Sequence, residues 1–292
     1  MEGFTLAVLL LAQASAIAPD TEVRALTATV LDKEGQPVEG LAEEDVAITE
    51  NGVVRDITSF RRDERPLTVA VIVDTSLATR ADYRLNLVDA VSALISRLPE
   101  GTSYAIWTTG DRPTKLLDYT EDRTEASPAL LRVAPLGGNY MLDALAEASE
   151  DLKKYAREGD RTAVVAISGT GPELSYVDRW RSADVAMANA DLFLLLQVDV
   201  GGAGFEQRVN LSYVFDRLAK ASGGEYDLVL SYLGADAGLR KLSPYLRAGY
   251  RLAYATVPDL KKRKIDLTVA RPGTEVFLPA RTDIEADLEP EL

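Results

Sequence analysis

The sequence contains neither cysteine nor histidine in its 292 residues. Without cysteine it can form no disulfide bond, no thiolate nucleophile and no cysteine-ligated zinc site. Without histidine it lacks the side chain that most often serves as a general base near neutral pH, and also the commonest zinc ligand. Catalytic triads built on histidine are therefore excluded. These absences favour a protein that binds over one that catalyses, and we expect no enzymatic activity.

Positive charge is scarce as well, because 32 basic residues face 46 acidic ones and give a formal net charge of −14. Such an excess repels nucleic acid and anionic membrane surfaces. No segment after the first twenty residues is long and apolar enough to span a bilayer. We therefore expect a protein partner, no nucleic-acid binding and no stable membrane insertion. The acidic residues 282–292 are predicted to form a frayed tail.

The beginning of the chain, MEGFTLAVLLLAQASAIAPD, is typical of a bacterial export signal. Residues 4–12 form a short apolar run, and the small residues after it fit an A-x-A cleavage site at 12–14 or 14–16. The run is too short to cross a bilayer. The segment before it carries an acidic residue and no basic one, which departs from the usual pattern. We predict a signal peptide over residues 1–18 and a periplasmic or extracellular location; a buried N-terminal helix is the alternative.

Apolar runs alternate with amphipathic segments between residues 63 and 247. Residues 68–73, 162–168 and 191–198 are almost continuously apolar, which is typical of strands buried on both faces of a parallel sheet. The segments between such runs, for example 80–98, place apolar residues at three- to four-residue spacing, which predicts helices. The pattern predicts an α/β fold, with a doubly wound, mostly parallel sheet and helices on both of its faces.

Strand patterns flank this region on both sides, at residues 20–62 and 248–281. The first flank contains Asn51-Gly52, a strong signal for a β-hairpin turn. An α/β domain can be inserted into another domain when its own ends lie close together. We therefore predict that the two flanks meet as one small β-sandwich-like domain.

The first apolar strand of the α/β region ends in Asp74-Thr75-Ser76-Leu77-Ala78. Here the chain resembles the von Willebrand factor A (vWA) family, which carries D-x-S-x-S at this place. Residues 136–139, Leu-Gly-Gly-Asn, stand where the family has Gly-Gly-Thr, and residues 164–170 where it has an apolar strand ending in Thr-Asp-Gly. Residues 30–41 and 250–254 are similar to segments of a bacterial VWFA-related group. The resemblance implies a vWA fold over residues 67–246.

The resemblance also implies a metal-ion-dependent adhesion site, in which oxygen ligands from three loops hold a divalent cation and a partner's carboxylate completes its shell. Asp74 and Ser76 match the family's ligands. Ala78 replaces the second serine, Asn139 replaces the threonine and Gly169 replaces the aspartate. Because Mg²⁺ requires about six hard oxygen ligands, we predict a degenerate site. Asp74, Ser76 and Asn139 are its candidate metal ligands, and we expect no cofactor other than weakly bound Mg²⁺.

Asp74 has a second interpretation, in which its carboxylate hydrogen-bonds its own loop. Glu173 or Asp143 could replace the carboxylate lost at Gly169, although no pattern in the sequence indicates that either does.

These observations predict an exported interaction or adhesion module that binds a protein partner at the C-terminal edge of the vWA sheet without a metal. The predicted partner-binding residues are Asp74, Ser76, Asn139, Tyr140 and Phe205, the last two as aromatic side chains in predicted rim loops. Three alternatives stay open: Mg²⁺-dependent adhesion through Asp74 and Ser76, a structural subunit of an envelope assembly, and a hydrolase or phosphotransferase that uses Asp74.

Overall fold

A computed structural model of the protein describes residues 22–199, 205–258 and 263–280. The predicted signal peptide and the predicted acidic tail lie outside the described residues. The described strands are β1 (Glu22–Asp32), β2 (Val46–Glu50), β3 (Val53–Arg55), β4 (Ile57–Arg62), β5 (Leu67–Val73), β6 (Ser103–Thr108), β7 (Thr114–Thr120), β8 (Arg161–Gly169), β9 (Leu192–Val198), β10 (Glu225–Val229), β11 (Gly249–Thr256), β12 (Ile265–Val269) and β13 (Thr274–Phe277). The described helices are α1 (Val88–Ser96), α2 (Ala126–Leu131), α3 (Met141–Tyr155), α4 (Arg179–Asn189), α5 (Phe205–Ser222) and α6 (Ala235–Leu242). None of these helices is both long and apolar enough to cross a membrane.

A six-stranded sheet forms the centre of the molecule, with the strand order β10-β9-β8-β5-β6-β7. Neighbouring strands run parallel except at the end of the sheet, where β7 is antiparallel to β6. Strands β5, β8 and β9 are buried along their whole lengths. Their side chains meet a helix layer on each face, which explains their unbroken apolar sequences. The predicted doubly wound, mostly parallel sheet is confirmed.

The two faces of the sheet carry separate hydrophobic cores. Val69, Val71 and Val73 of β5 pack with α1 and α6 in one core. Ala70 and Ile72 pack with α3, α4 and α5 in the other. Since successive side chains of a strand point to opposite faces, a strand that is apolar at every position requires helices on both sides.

Strands from the two ends of the described chain pair with each other. β1 runs antiparallel to β11 within a four-stranded sheet of order β13-β1-β11-β4. A three-stranded sheet of order β12-β2-β3 lies against it, and Leu26, Ile48 and Leu252 share the core between the two sheets. These additional β-sheets agree with the predicted fold class. The domain limits predicted from the sequence stay predictions.

The first helix of the α/β region is shorter than its apolar spacing predicts. The regular helix α1 begins only at Val88, and a π-helical turn at Tyr83–Leu87 precedes it. The carbonyl oxygen of Asp82 accepts the backbone N–H of Leu87 at 3.3 Å, five residues on, as well as that of Asn86 at 2.8 Å. Such wider turns are rare and often lie beside functional segments; this one follows the loop of the candidate site.

Candidate functional site

The candidate site lies where three segments meet at the C-terminal edge of the central sheet. Asp74 directly follows β5, Gly169 ends the neighbouring strand β8, and Asn139 precedes α3. The backbone N–H of Asp74 donates to the carbonyl oxygen of Ile167 at 2.9 Å, which ties the two strand ends together. Open α/β sheets bind ligands beyond the carboxyl ends of their strands, so this is the edge where a binding site is expected.

Asp74 is completely buried, and three N–H donors hold its carboxylate. Oδ1 accepts the backbone N–H of Ser76 at 2.9 Å. Oδ2 accepts the backbone N–H of Gly169 at 2.9 Å and the Asn139 amide, Nδ2, at 3.2 Å. Burial raises the pKa of Asp74 above its ordinary value, although the hydrogen bonds from Ser76 and Gly169 act in the opposite direction. Asp74 therefore bonds its own loop and both neighbouring segments, which is the second of the two roles considered for it.

Backbone contacts join the loops around Asp74 into one layer. The carbonyl oxygen of Thr75 accepts the N–H of Leu136 at 3.0 Å, and the Thr75 hydroxyl accepts the N–H of Gly110 at 2.9 Å. The Asn139 carbonyl oxygen accepts the N–H of Leu174 at 2.7 Å. A Cβ atom at Gly110 would lie 2.4 Å from the Thr75 carbonyl oxygen, so only glycine allows this approach. The edge of the sheet is thus held by mutual hydrogen bonds between loops.

Tyr232 reaches the site from the turn after β10, and the sequence analysis did not single it out. Its side chain is 2% exposed, and its hydroxyl has no hydrogen-bond partner among the described residues. A Cβ atom built on Gly169 would lie 2.1 Å from that hydroxyl oxygen and 3.5 Å from Asp74 Oδ2. Burial raises the pKa of Tyr232, and the nearby charge of Asp74 adds to the effect. The tyrosine hydroxyl therefore fills the space into which a side chain at position 169 would project.

Comparison with known families identifies the part of the chain that carries this site. Residues 69–172 match the family described as von Willebrand factor type A domain. This stretch runs from Val69 within β5 to Pro172 in the loop after β8, and it includes Asp74, Asn139 and Gly169. Residues 69–172 belong to a von Willebrand factor type A domain. The expected resemblance is thereby confirmed. No curated protein matches the sequence.

Solved structures share the vWA fold with this chain at low sequence identity. Proximal thread matrix protein 1 from the mussel byssus is 16% identical, with a TM-score of 0.50 over 72% of this chain. The alignment covers only 50% of the mussel protein. The same mussel protein with zinc in its MIDAS (metal-ion-dependent adhesion site) motif gives a TM-score of 0.51 at 16% identity. That alignment covers 68% of this chain and 50% of the mussel protein. A von Willebrand factor type A protein from Catenulispora acidiphila gives 0.52 at 11% identity, over 90% of this chain and 73% of that one.

The vWA site of this chain offers few ligand atoms for a divalent cation. Ala78 and Gly169 carry none, and Asn139 turns its amide nitrogen rather than its oxygen toward Asp74. Ser76 Oγ and Asn139 Oδ1 add two neutral oxygen atoms, both of them buried. One carboxylate and two neutral oxygens fall short of the charged, six-oxygen shell that Mg²⁺ prefers. The residues present do not fit a resident metal ion.

Two acidic residues near the vWA site already have other partners. Glu173 accepts the backbone N–H of Ser175 at 2.9 Å through Oε1 and that of Met141 at 3.2 Å through Oε2. Burial, together with the charge of Asp74, raises the pKa of Glu173 to about 7. Within residues 22–199, 205–258 and 263–280, no three acidic side chains are grouped so that they could hold a metal ion.

Asp143 binds the next part of the same loop. Its two carboxylate oxygens accept the backbone N–H groups of Tyr176 at 3.0 Å and Val177 at 2.9 Å. Glu173 and Asp143 therefore fasten residues 173–177 to the start of α3. Neither carboxylate stands in for the aspartate missing at Gly169.

The structure places the five predicted partner-binding residues in different environments. Asp74, Ser76 and Asn139 lie together but are buried, with at most 1% of their surface exposed. Tyr140 is partly exposed directly before α3, and its ring lies 5.9 Å from that of Tyr176. Phe205 begins helix α5 and so is not in a loop as predicted; its side chain lies outside what the structure describes. Partner contact through these residues stays a prediction.

Four large apolar side chains are exposed on the loops next to the buried centre at the vWA sheet edge, and we call them the rim patch. Leu77, Leu136, Leu174 and Tyr176 are 55%, 51%, 48% and 92% exposed. They belong to adjacent loops, because Leu77 donates its N–H to the carbonyl oxygen of Gly137, next to Leu136, at 3.1 Å. The sequence analysis predicted partner contact at this edge of the sheet but singled out none of these four side chains, since exposure of single leucines in loops has no sequence pattern.

Proposed function

We propose that this protein is an exported interaction module, of the adhesion type, that binds a protein partner at the C-terminal edge of its vWA sheet. In this proposal the binding requires no metal ion, and the protein catalyses no reaction. A vWA domain is in general a protein-interaction domain, and the particular site, metal independence and export are what we add.

The observation that carries the proposal is the rim patch of Leu77, Leu136, Leu174 and Tyr176. Contiguous exposed apolar groups with polar surroundings are typical of protein-interaction surfaces. Buried aromatic and aliphatic anchors supply most of the binding free energy in such interfaces. With a net charge of −14 on the chain, an apolar contact is also less sensitive to like-charge repulsion than a polar one.

The buried centre supports a metal-free contact. A partner's carboxylate that completed a cation's shell would have to approach Asp74, which is fully buried. The Asp74 carboxylate already accepts three hydrogen bonds, and Tyr232 fills the space beside Gly169. In our proposal this centre fixes the positions of the loops, and the side chains of the rim patch make the contact.

The test is a pull-down of the purified protein from an envelope extract of its own organism, with variants in the rim patch. Tyr176→Ala is the first variant, because a side chain that is 92% exposed contributes little to folding. Leu136→Ser is the second. Val54→Ser is the matched control, since Val54 is an equally apolar and 71% exposed residue on strand β3, away from the vWA edge.

We expect wild type and Val54→Ser to retain the same partner and both rim variants to lose it, with no effect of EDTA. Release of the partner by EDTA would contradict the proposal and favour Mg²⁺-dependent adhesion through Asp74 and Ser76. Equal retention by all four proteins would show that the partner binds elsewhere.

Export and the lack of catalysis are tested separately. Mass spectrometry of protein recovered from the periplasm or medium is expected to show an N-terminus after residue 14, 16 or 18, where the small residues favour cleavage. Recovery of the uncleaved chain from the cytoplasm would contradict export. Turnover of any ester or phosphate substrate that Asp74→Asn abolishes would contradict the lack of catalysis.

A further inference from the structure

A cavity of about 680 Å³ lies at the opposite, N-terminal edge of the central sheet, and we call it the basal cavity. It opens where the starts of β5, β8 and β9 face strands β1 and β11. Its apolar lining includes Leu26, Leu67, Leu192 and Phe193. Its volume lies within the range of small-molecule sites, which hold a few placed polar groups among mainly apolar walls.

The charged groups of the basal cavity leave one positive charge in excess. Among the described residues, nine charged side chains line it, and four of them (Lys153, Arg157, Glu158 and Asp191) are exposed. The five that are partly or fully buried are Arg65, Arg161 and Arg251 against Asp63 and Asp160. An unbalanced charge at a partly enclosed site is costly unless a counter-charge binds there. The balance therefore favours a ligand that carries a single negative charge.

The two arginines at the back of the cavity already have a partner. Arg65 donates to both carboxylate oxygens of Asp63, at 2.8 and 2.7 Å, and Arg161 lies 3.4 Å from one of them. Although burial acts in the opposite direction, these guanidinium groups hold the pKa of Asp63 below its ordinary value. A Cβ atom at Gly249 would lie 3.4 Å from Arg161 Nη2, so the missing side chain leaves room for this cluster.

Arg251 is the arginine of the cavity that is partly buried and still unpaired among the described residues; Arg157 is unpaired there too, but it is exposed to solvent. The Arg251 side chain makes no hydrogen bond or ion pair with any residue that the structure describes. Burial and the neighbouring charge of Arg65 lower the pKa of Arg251. Because a guanidinium group binds a carboxylate through two parallel hydrogen bonds, Arg251 is the group in the cavity best suited to an organic anion.

We propose that the basal cavity binds a small organic acid, with its carboxylate on Arg251 and its apolar body against Leu26, Leu192 and Phe193. In this proposal the ligand carries one negative charge and an apolar body of several carbon atoms. The site is separate from the rim patch, which lies at the other end of the same strands.

The test is isothermal titration calorimetry of the purified chain with octanoate, compared with octylamine and 1-octanol as probes of the same length. Arg251→Gln removes the positive charge and keeps a polar side chain. Ala188→Trp fills the cavity from an exposed position on α4, where folding tolerates substitution. Arg132→Gln is the matched control, since Arg132 is exposed and does not line the cavity.

We expect octanoate to bind and the other two probes to bind at least tenfold more weakly. Arg251→Gln is expected to weaken octanoate binding about tenfold to a hundredfold, the value of a hydrogen-bonded charge pair. Ala188→Trp should weaken it as well, and Arg132→Gln should not. Equal binding of octanol and octanoate, no loss in Arg251→Gln, or no octanoate binding at millimolar concentration would each overturn the proposal.

Discussion

The contact between Gly169 and Tyr232 can be tested by a double-mutant cycle. In Gly169→Ala the new methyl carbon would lie 2.1 Å from the Tyr232 hydroxyl oxygen, so one of the two side chains must move. Both positions are buried, and extra volume in a packed core destabilises by about 1–3 kcal/mol. For a chain of this size the midpoint of thermal unfolding should fall by roughly 2–4 °C per kcal/mol.

Removal of the hydroxyl should remove most of that cost. In Tyr232→Phe the atom next nearest to the new methyl carbon is the ring carbon Cζ, at 3.3 Å, which small shifts accommodate. The hydroxyl has no described hydrogen-bond partner, so Tyr232→Phe by itself should be neutral or stabilising by up to about 1 kcal/mol. Gly169→Ala should therefore cost about 1–2 kcal/mol less in the Tyr232→Phe background than in wild type.

The assay is urea unfolding of wild type, both single variants and the double variant, followed by far-UV circular dichroism. An equal cost of Gly169→Ala in the two backgrounds would refute the steric argument. A destabilisation of about 2 kcal/mol or more by Tyr232→Phe alone would show that the hydroxyl has a partner, and would then assign it a bonding role at the site.

Three further predictions concern acidic side chains: one with a raised pKa, one in a buried ion cluster and one that caps a helix. Because the pKa of Glu173 is raised from 4.5 to about 7, the folded state keeps its proton longer than the unfolded chain, and stability should fall as pH rises from about 4.5 to about 7. Glu173→Gln should flatten that decline, as measured by chemical unfolding across the pH range. A decline that the variant keeps would contradict the assignment. Asp63→Asn leaves two guanidinium groups without their carboxylate and should lower the free energy of unfolding in urea by about 3–5 kcal/mol. The control is Glu64→Gln at the exposed neighbouring residue, which should change stability by less than about 0.5 kcal/mol. Similar effects of the two variants would argue against a buried ion cluster. Asp178→Ala removes the side chain that accepts two N–H groups at the start of α4, and should lower the free energy of unfolding by about 1 kcal/mol; an unchanged midpoint would show that the cap contributes nothing.

Much of the fold could be predicted from short stretches of sequence, because strand burial and turn geometry depend on the residue types within each stretch. Strands buried on both faces need apolar residues at every position, and Leu67–Val73 shows this without any knowledge of its neighbours. The hairpin at Asn51-Gly52 follows from the positive φ angles of 52° and 78° that these two residue types tolerate. The position of Asp74 at the sheet edge could also be predicted, because Asp74 is the first residue after the apolar run Leu67–Val73.

The state of the site could not be predicted from the sequence, because it depends on residues that only folding brings together. The substitutions at Ala78 and Gly169 were visible in the sequence, and they removed ligand atoms. That Tyr232 fills the space at Gly169 depends on the packing of a turn more than sixty residues away along the chain. The exposure of Leu136 and the cavity around Arg251 likewise depend on how separate segments pack. Sequence determined which chemical groups reach each edge of the sheet, and tertiary packing decided which of them are covered, because burial is a property of all the neighbours of a residue at once.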